Sequence, residues 1–249
     1  VADIIEHPSP NWNERPEGMA PDMVVLHYTG MRTGAEALDR LCDPAAQVSA
    51  HYLIEEDGRI FRLVDEEKRA WHAGVSYWQG RENLNHNSIG IELVNPGHEF
   101  GYREFPDSQI SSLLALLSDI KTRHTVPMAH FVGHSDIAPD RKADPGELFP
   151  WKCLAEKGFG LWSDVAGGET EMIARQGDRG DIVSNLNKQL GIVGYHQDDT
   201  GSFDDATESK VRAFQAHWRP ETVSGCFDKG TAARLADIVS QIHINGERL

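Results

Sequence analysis

Basic side chains are in short supply. The 249 residues set only 24 Lys and Arg against 39 Asp and Glu, a formal net charge of -15 at pH 7. Such a balance argues against nucleic acid or an anionic membrane surface as the main partner. Long apolar runs are missing too. None approaches the ~20 residues that span a bilayer, so no transmembrane segment is expected. The opening stretch "VADIIEHPSPNWNERP" lacks a basic segment followed by an apolar one. From that absence the expectation is a cytoplasmic protein, or a periplasmic one if an export signal has been removed. Cysteine is sparse: Cys42, Cys153 and Cys226 are widely spaced and form no C-x-x-C. This argues against a disulfide framework and favours free thiols in a reducing compartment.

What remains is an ordinary globular pattern. "DMVVLHYTG" (22–30) reads as a buried strand ending in a turn, and "SIGIELVN" (88–95) as another. "TGAE" (33–36) has the form of a capping box opening a helix through Leu38, Leu41 and Cys42. In "AHYLIEEDGRIFRLV" (50–64), Asp57-Gly58 separates two apolar stretches, a hairpin signal. Ile110, Leu113, Leu114, Leu117 and Ile120 share one face of a helix over 107–124. "AHFVGHSD" (129–136) reads as a further strand. The expected fold is α/β, a mixed central sheet flanked by helices. After Trp162 the polar, acidic "SDVAGGETE" (163–171) reads as a linker. Beyond it, Ile182, Leu186 and Leu190, then Val211, Phe214 and Trp218, then Leu235, Ile238, Val239 and Ile242, mark three helical faces. The expected organisation is therefore a first domain over 1–162, a linker over 163–171 and a small three-helix domain over 172–249.

The chemistry-bearing residues lie in the first domain. His27 ends a buried strand, His134 has the same placement on a later one, and Asp144 lies in the loop beyond. Two imidazoles and a carboxylate are a common ligand set for catalytic zinc, with the fourth tetrahedral position left for water. No short H-x-x-x-H spacing fixes that geometry, and surface or core histidines remain the alternative. Glu92 interrupts an apolar strand, where a carboxylate is paired, protonated, functional or simply turned outward. Lys142 is either an exposed loop lysine or a fixed cation aimed at a developing oxyanion.

Taken in order, "VVLHYTG", "SAHYLI", "DGRIFRLV", "AWHAG", "NSIGIELVNPG" and "VGHSDIAPDRKADPG" resemble the zinc-dependent N-acetylmuramoyl-L-alanine amidases of the amidase-2 group, related in fold to peptidoglycan recognition proteins. The resemblance implies that His27, His134 and Asp144 hold one Zn2+, that Glu92 is the acid/base and that Lys142 assists. A tyrosine used by phage relatives is replaced here by Ala50. The segment 172–240 is similar to the peptidoglycan-binding three-helix module. The implied substrate is a muropeptide, including anhydro-muropeptides, or polymeric peptidoglycan. A non-catalytic muropeptide receptor and a zinc peptidase are the alternatives. Trp71, His72, Asn83 and Asn87 are expected to line the substrate groove, and His51 to be structural. His86, His98, His196, His217 and His243 are given no role.

Overall fold

The computed structural model describes residues 4–197, 200–244 and 246. Strand β1 (Ile4–Glu6) is followed by β2 (Trp12–Glu14) and the buried β3 (Met23–Tyr28). Helix α1 (Gly34–Cys42) starts where the Thr33 side chain accepts the Glu36 N–H, the capping expected from "TGAE". The Asp57-Gly58 hairpin joins β4 (Tyr52–Ile54) to β5 (Ile60–Arg62), which pair antiparallel. Strands β6 (Lys68–Ala70), β7 (Tyr77–Trp78) and β8 (Arg81–Glu82) are short ribbon strands. Then come β9 (Ser88–Leu93), the single turn α2 (Gly97–Phe100), the long α3 (Asp107–Arg123), β10 (Phe131–Gly133), α4 (His134–Ile137) and α5 (Trp151–Glu156).

Six strands form one mixed sheet in the order β1-β5-β4-β9-β3-β10, parallel except at the β4–β5 hairpin. Alternation along β3 divides its side chains between two cores. Val24 and Leu26 pack with Ile89, Ile91 and the α3 residues Ile110, Leu113 and Leu117. Met23 and Val25 face the other way, into a core that contains bundle residues. Both faces of the sheet are thereby covered, as parallel strands require. His27 falls on the same side as Met23 and Val25 by this period of two.

The strand expected over 129–136 is shorter than its sequence pattern. It stops at Gly133, because the Asp136 carboxylate accepts the Gly133 N–H at 2.7 Å and turns the chain into α4. His134 therefore opens a helical turn.

In the C-terminal part, β11 (Met172–Ala174) and β12 (Phe227–Asp228) form a small antiparallel ribbon beside three helices, α6 (Asp181–Val193), α7 (Asp205–Trp218) and α8 (Lys229–Ile244). Helix α6 runs past Gly191 to Gly194, where an added Cβ would lie 2.4 Å from the Trp78 ring. Its buried face is Val183, Leu186, Leu190 and Val193, while Ile182, expected inside, is 56% exposed. Moving the stripe by one residue aligns four apolar side chains rather than three.

The linker segment carries no strand or helix before Met172. Its carbonyls are nevertheless anchored: Arg219 Nε donates to Gly167 O at 2.7 Å and Gly230 N–H to Glu169 O at 2.8 Å. The bundle and the sheet share a single apolar cluster, with Trp78 and Val132 against Val193, Phe214 and Ile238.

Candidate active site

Three elements deliver the site to the carboxyl end of the parallel strands, where open α/β sheets generally place their ligands. His27 lies at the end of β3. Its direct register partner on β9 is Glu92, so the two side chains leave neighbouring strands on one face. His134 follows β10 immediately. Asp144 arrives from the loop after α4, and its carbonyl is fixed by the Ser135 N–H at 2.8 Å.

The three side chains meet at their tips. His27 Nδ1 lies 3.0 Å from His134 Nδ1, and each of these atoms lies 3.1 Å from Asp144 Oδ2. All three residues are buried.

The proton inventory of this triangle follows from the far side of each ring. His134 Nε2 faces the Ala73 carbonyl at 3.2 Å, which can only accept, so in the neutral ring Nε2 carries the proton and Nδ1 is bare. Ser88 Oγ donates its hydrogen to Leu84 O at 2.6 Å and therefore accepts from His72 Nε2 at 3.1 Å. His72 Nδ1 is then the acceptor for His27 Nε2–H at 3.1 Å, which leaves His27 Nδ1 bare. Burial and the neighbouring His134 lower the His27 pKa to about 4, and burial with the His27 and His51 rings pushes His72 well below its usual value. Both rings are neutral at pH 7. Two imidazole lone pairs and a carboxylate oxygen thus converge with no hydrogen between them. A cation satisfies all three at once, and the donor set of two nitrogens and one oxygen is the type that zinc takes. These are the atoms among the described residues that could hold a metal ion.

Around the triangle is a cleft of about 440 Å3, whose walls include Tyr28, Trp71, Glu92, Arg141 and Lys142. Glu92 has one carboxylate oxygen, Oε2, buried without a hydrogen-bond partner. Burial and the Asp144 charge push its pKa well above the usual carboxylate range. Lys142 is exposed at the rim. The Tyr28 phenol contacts His98 Nδ1 at 3.0 Å, and burial followed by the Asp144 charge raises it to about 12.

The four expected groove contacts divide. Trp71 stands in the cleft wall, its indole N–H donated to Asn13 Oδ1 at 2.7 Å. His72 also lines the cleft, but it is buried with both nitrogens bonded to protein, so it supports His27 instead of offering a polar atom to a ligand. Its ring sits over Gly90, where a Cβ would come within 2.3 Å of it. Asn83 borders a different groove with Tyr77 and Ile137. Asn87 donates to Asp22 Oδ1 at 2.6 Å, outside the cleft. His51 is structural as expected: Nδ1 accepts the Gly90 N–H and Nε2 faces Lys68 O. Tyr28 and Arg141 were not singled out from the sequence. Their adjacency to His27 and Lys142 was the available signal.

Comparison with known proteins bears on the family and the fold. Residues 17–147 match the family profile of N-acetylmuramoyl-L-alanine amidase, and residues 179–235 match a profile described as a peptidoglycan binding domain. The chain is 37% identical over 227 residues to the N-acetylmuramoyl-L-alanine amidase AmiD of Escherichia coli strain K12, covering 85% of this chain and 79% of that protein. It is 38% identical over 168 residues to the 1,6-anhydro-N-acetylmuramyl-L-alanine amidase AmpD of Citrobacter freundii, covering 61% of this chain and 88% of that one. The solved complex of Escherichia coli AmiD with anhydro-N-acetylmuramic acid-L-Ala-D-gamma-Glu-L-Lys superposes with a TM-score of 0.76 at 33% identity, over 92% of this chain and 93% of that one. Pseudomonas aeruginosa AmpDH3 in complex with anhydromuramic pentapeptide gives 0.77 at 37% identity, over 91% and 94%.

Proposed function

The chain belongs to the N-acetylmuramoyl-L-alanine amidase family, and on that premise we propose that His27, His134 and Asp144 hold one zinc ion used to hydrolyse the amide between N-acetylmuramic acid, or its 1,6-anhydro form, and the L-alanine of a stem peptide. The observation that carries the reading is the triangle of bare donor atoms beside a glutamate with one buried, unpartnered oxygen. Zinc in such a site polarises a carbonyl and lowers the pKa of water from 15.7 to about 7.

The protein supplies the rest. Glu92, next to His27 across the strand pair, accepts the proton of the attacking water. Positive charge on the ligand triangle would oppose the burial and the Asp144 charge that raise this carboxyl's pKa, favouring the carboxylate form that a base needs. As the water oxygen bonds to the amide carbon, Lys142 stabilises the charge on the carbonyl oxygen. Glu92 then returns the proton to the departing nitrogen of L-alanine, the C–N bond breaks, and the lactyl group leaves as a carboxylic acid. His72 and Ser88 keep His27 in the tautomer that presents Nδ1 to the ion.

Incubating a defined muropeptide with and without a chelator tests the reading. Free muramic-type sugar plus an intact peptide, both lost on chelation, is the expected result. A shortened peptide still attached to sugar would mark a zinc peptidase instead.

Two features bear on where the substrate is met. The C-terminal match favours polymeric peptidoglycan, whereas the three free thiols favour a reducing compartment and soluble anhydro-muropeptides. No helix among the described residues is long and apolar enough to cross a membrane. Rates on intact sacculi and on purified anhydro-muropeptide, measured side by side, rank the two substrates.

A further inference from the structure

Two residues beyond His134, Asp136 is 1% exposed. A carboxylate so deeply buried must be fully hydrogen-bonded. Its first donor is local, the Gly133 N–H at 2.7 Å. The other two come from the C-terminal bundle. Tyr195 donates its hydroxyl to Oδ1 at 2.8 Å, and His217 lies with Nδ1 2.7 Å from Oδ2.

The His217 ring is itself clamped. It stacks on Trp151 and on Trp218, with both centroid separations at 3.7 Å. Trp218 in turn donates its indole N–H to Leu161 O at 3.0 Å. Tyr195 stands edge-on to Trp78, and the preceding Gly194 carbonyl accepts the Gln79 N–H at 2.8 Å.

Helix α4 is also where two of the three donor residues attach. His134 is its first residue, and the Ser135 N–H fixes the Asp144 backbone. His27 stands apart on β3. β10 holds Gly133 opposite Leu26 of β3, so the separation between His27 and the other two depends on that strand pairing and on how α4 is held beyond it.

We propose that the C-terminal bundle is a positioning element of the metal centre, acting through His217 and Tyr195 on Asp136 and so on the α4 turn that carries His134 and Asp144. In this reading the bundle does more than deliver the enzyme to a substrate. It holds the α4 turn so that the spacing set by the β3–β10 pairing is kept at the donor atoms.

The test uses the full chain and three variants. H217F keeps a flat ring between the two indoles and removes the N–H. H217N retains an amide donor near the Nδ1 position without the ring. Y195F removes a single hydroxyl. The zinc dissociation constant is measured by competition with a chromophoric chelator, and the visible absorption of the cobalt(II)-loaded protein reports ligand geometry. Thermal unfolding is followed in parallel. Y195F and H217F are each expected to weaken zinc binding ~10-fold, in the range found for groups that orient ligands, and to shift the cobalt bands. H217N recovers most of the affinity. A merely structural role would lower the unfolding temperature and leave the dissociation constant at the wild-type value, which overturns the proposal. If H217F does not fold, Y195F decides by the same criterion. A wild-type chain that takes up no zinc overturns the ligand assignment as well, and is thereby distinguished from failure of the positioning role alone.

Discussion

Eight positions apart in the sequence, Asp136 and Asp144 are two buried carboxylates with histidine partners, and they are built in opposite ways. Around Asp136 every partner is a donor: a backbone N–H, a phenol and an imidazole N–H. Around Asp144 the two neighbouring imidazole nitrogens are lone pairs, because the protein claims the hydrogens on the far side of each ring. In the first cluster the carboxylate is satisfied, and it holds two parts of the fold together. The second is incomplete by itself and calls for a cation. The residue types are the same; the direction of the hydrogens separates architecture from chemistry.

The most direct way to break this contrast is D144N. An amide in place of the carboxylate removes one negative donor atom, and zinc binding should be lost. The specific rate should fall at least about a thousandfold, corresponding to the several kcal/mol that a Lewis-acidic ion supplies. Metal analysis and muropeptide turnover read both effects. Next in size, E92Q should lower kcat by roughly 10²–10⁴-fold, the usual worth of a general acid–base group. It should leave zinc content unchanged, and loss of zinc in E92Q would place Glu92 among the ligands instead. H72F keeps the ring volume but removes the acceptor for His27 Nε2–H. Its zinc affinity should drop about 10–100-fold, as measured by chelator competition.

Stability sharpens the comparison from the other side. In the metal-free protein D144N should be more stable than wild type by about 0.5–2 kcal/mol, as with other substitutions that relieve a functional site. D136N should lose about 1–3 kcal/mol, because its amide nitrogen would face groups that already donate. Urea unfolding of the two metal-free variants, equal in direction, would erase the distinction drawn here.

The smallest effect is one of pH. Burial, then Arg15, lowers the His51 pKa to about 3. Below about pH 6.5, the ordinary value for histidine, the unfolded chain therefore binds a proton that the folded chain refuses. Stability is fully present above 6.5 and declines as pH falls towards 3. Glu66 adds a second, lower window. Burial would raise it, but Arg123, Tyr52 and His124 hold it at about 2, so its contribution is lost as pH falls from 4.5 towards 2. Urea midpoints of the zinc-free protein should already fall between pH 6.5 and 5, and a flat profile there would contradict the buried neutral state of His51.

Much of this was legible along the chain. The β3 and β9 runs, the Asp57-Gly58 hairpin, the Thr33 cap and helix α3 follow from local pattern alone. The ordered motifs likewise bring His27, Glu92, His134 and Asp144 forward from the sequence alone. His72 does line the cleft, but "AWHAG" does not show that its ring lies over Gly90 of β9 with both nitrogens bonded to protein. His217 was given no role, since its partner lies 81 residues away. Ile182 was assigned inward because a three-residue stripe cannot fix helix phase against a better stripe one position over. The linker composition is real, yet it did not reveal that the bundle packs against the sheet.

By itself the sequence determined the kinds of element, the identity of the donor atoms and their places at strand ends, because these depend on short-range periodicity and on side-chain chemistry. Tertiary structure alone decided which ring nitrogen of each histidine is bare, and that α4 is gripped from the far end of the chain. Those outcomes depend on hydrogen-bond partners 45 to 117 residues apart, and only packing brings such partners within 3 Å or so of one another.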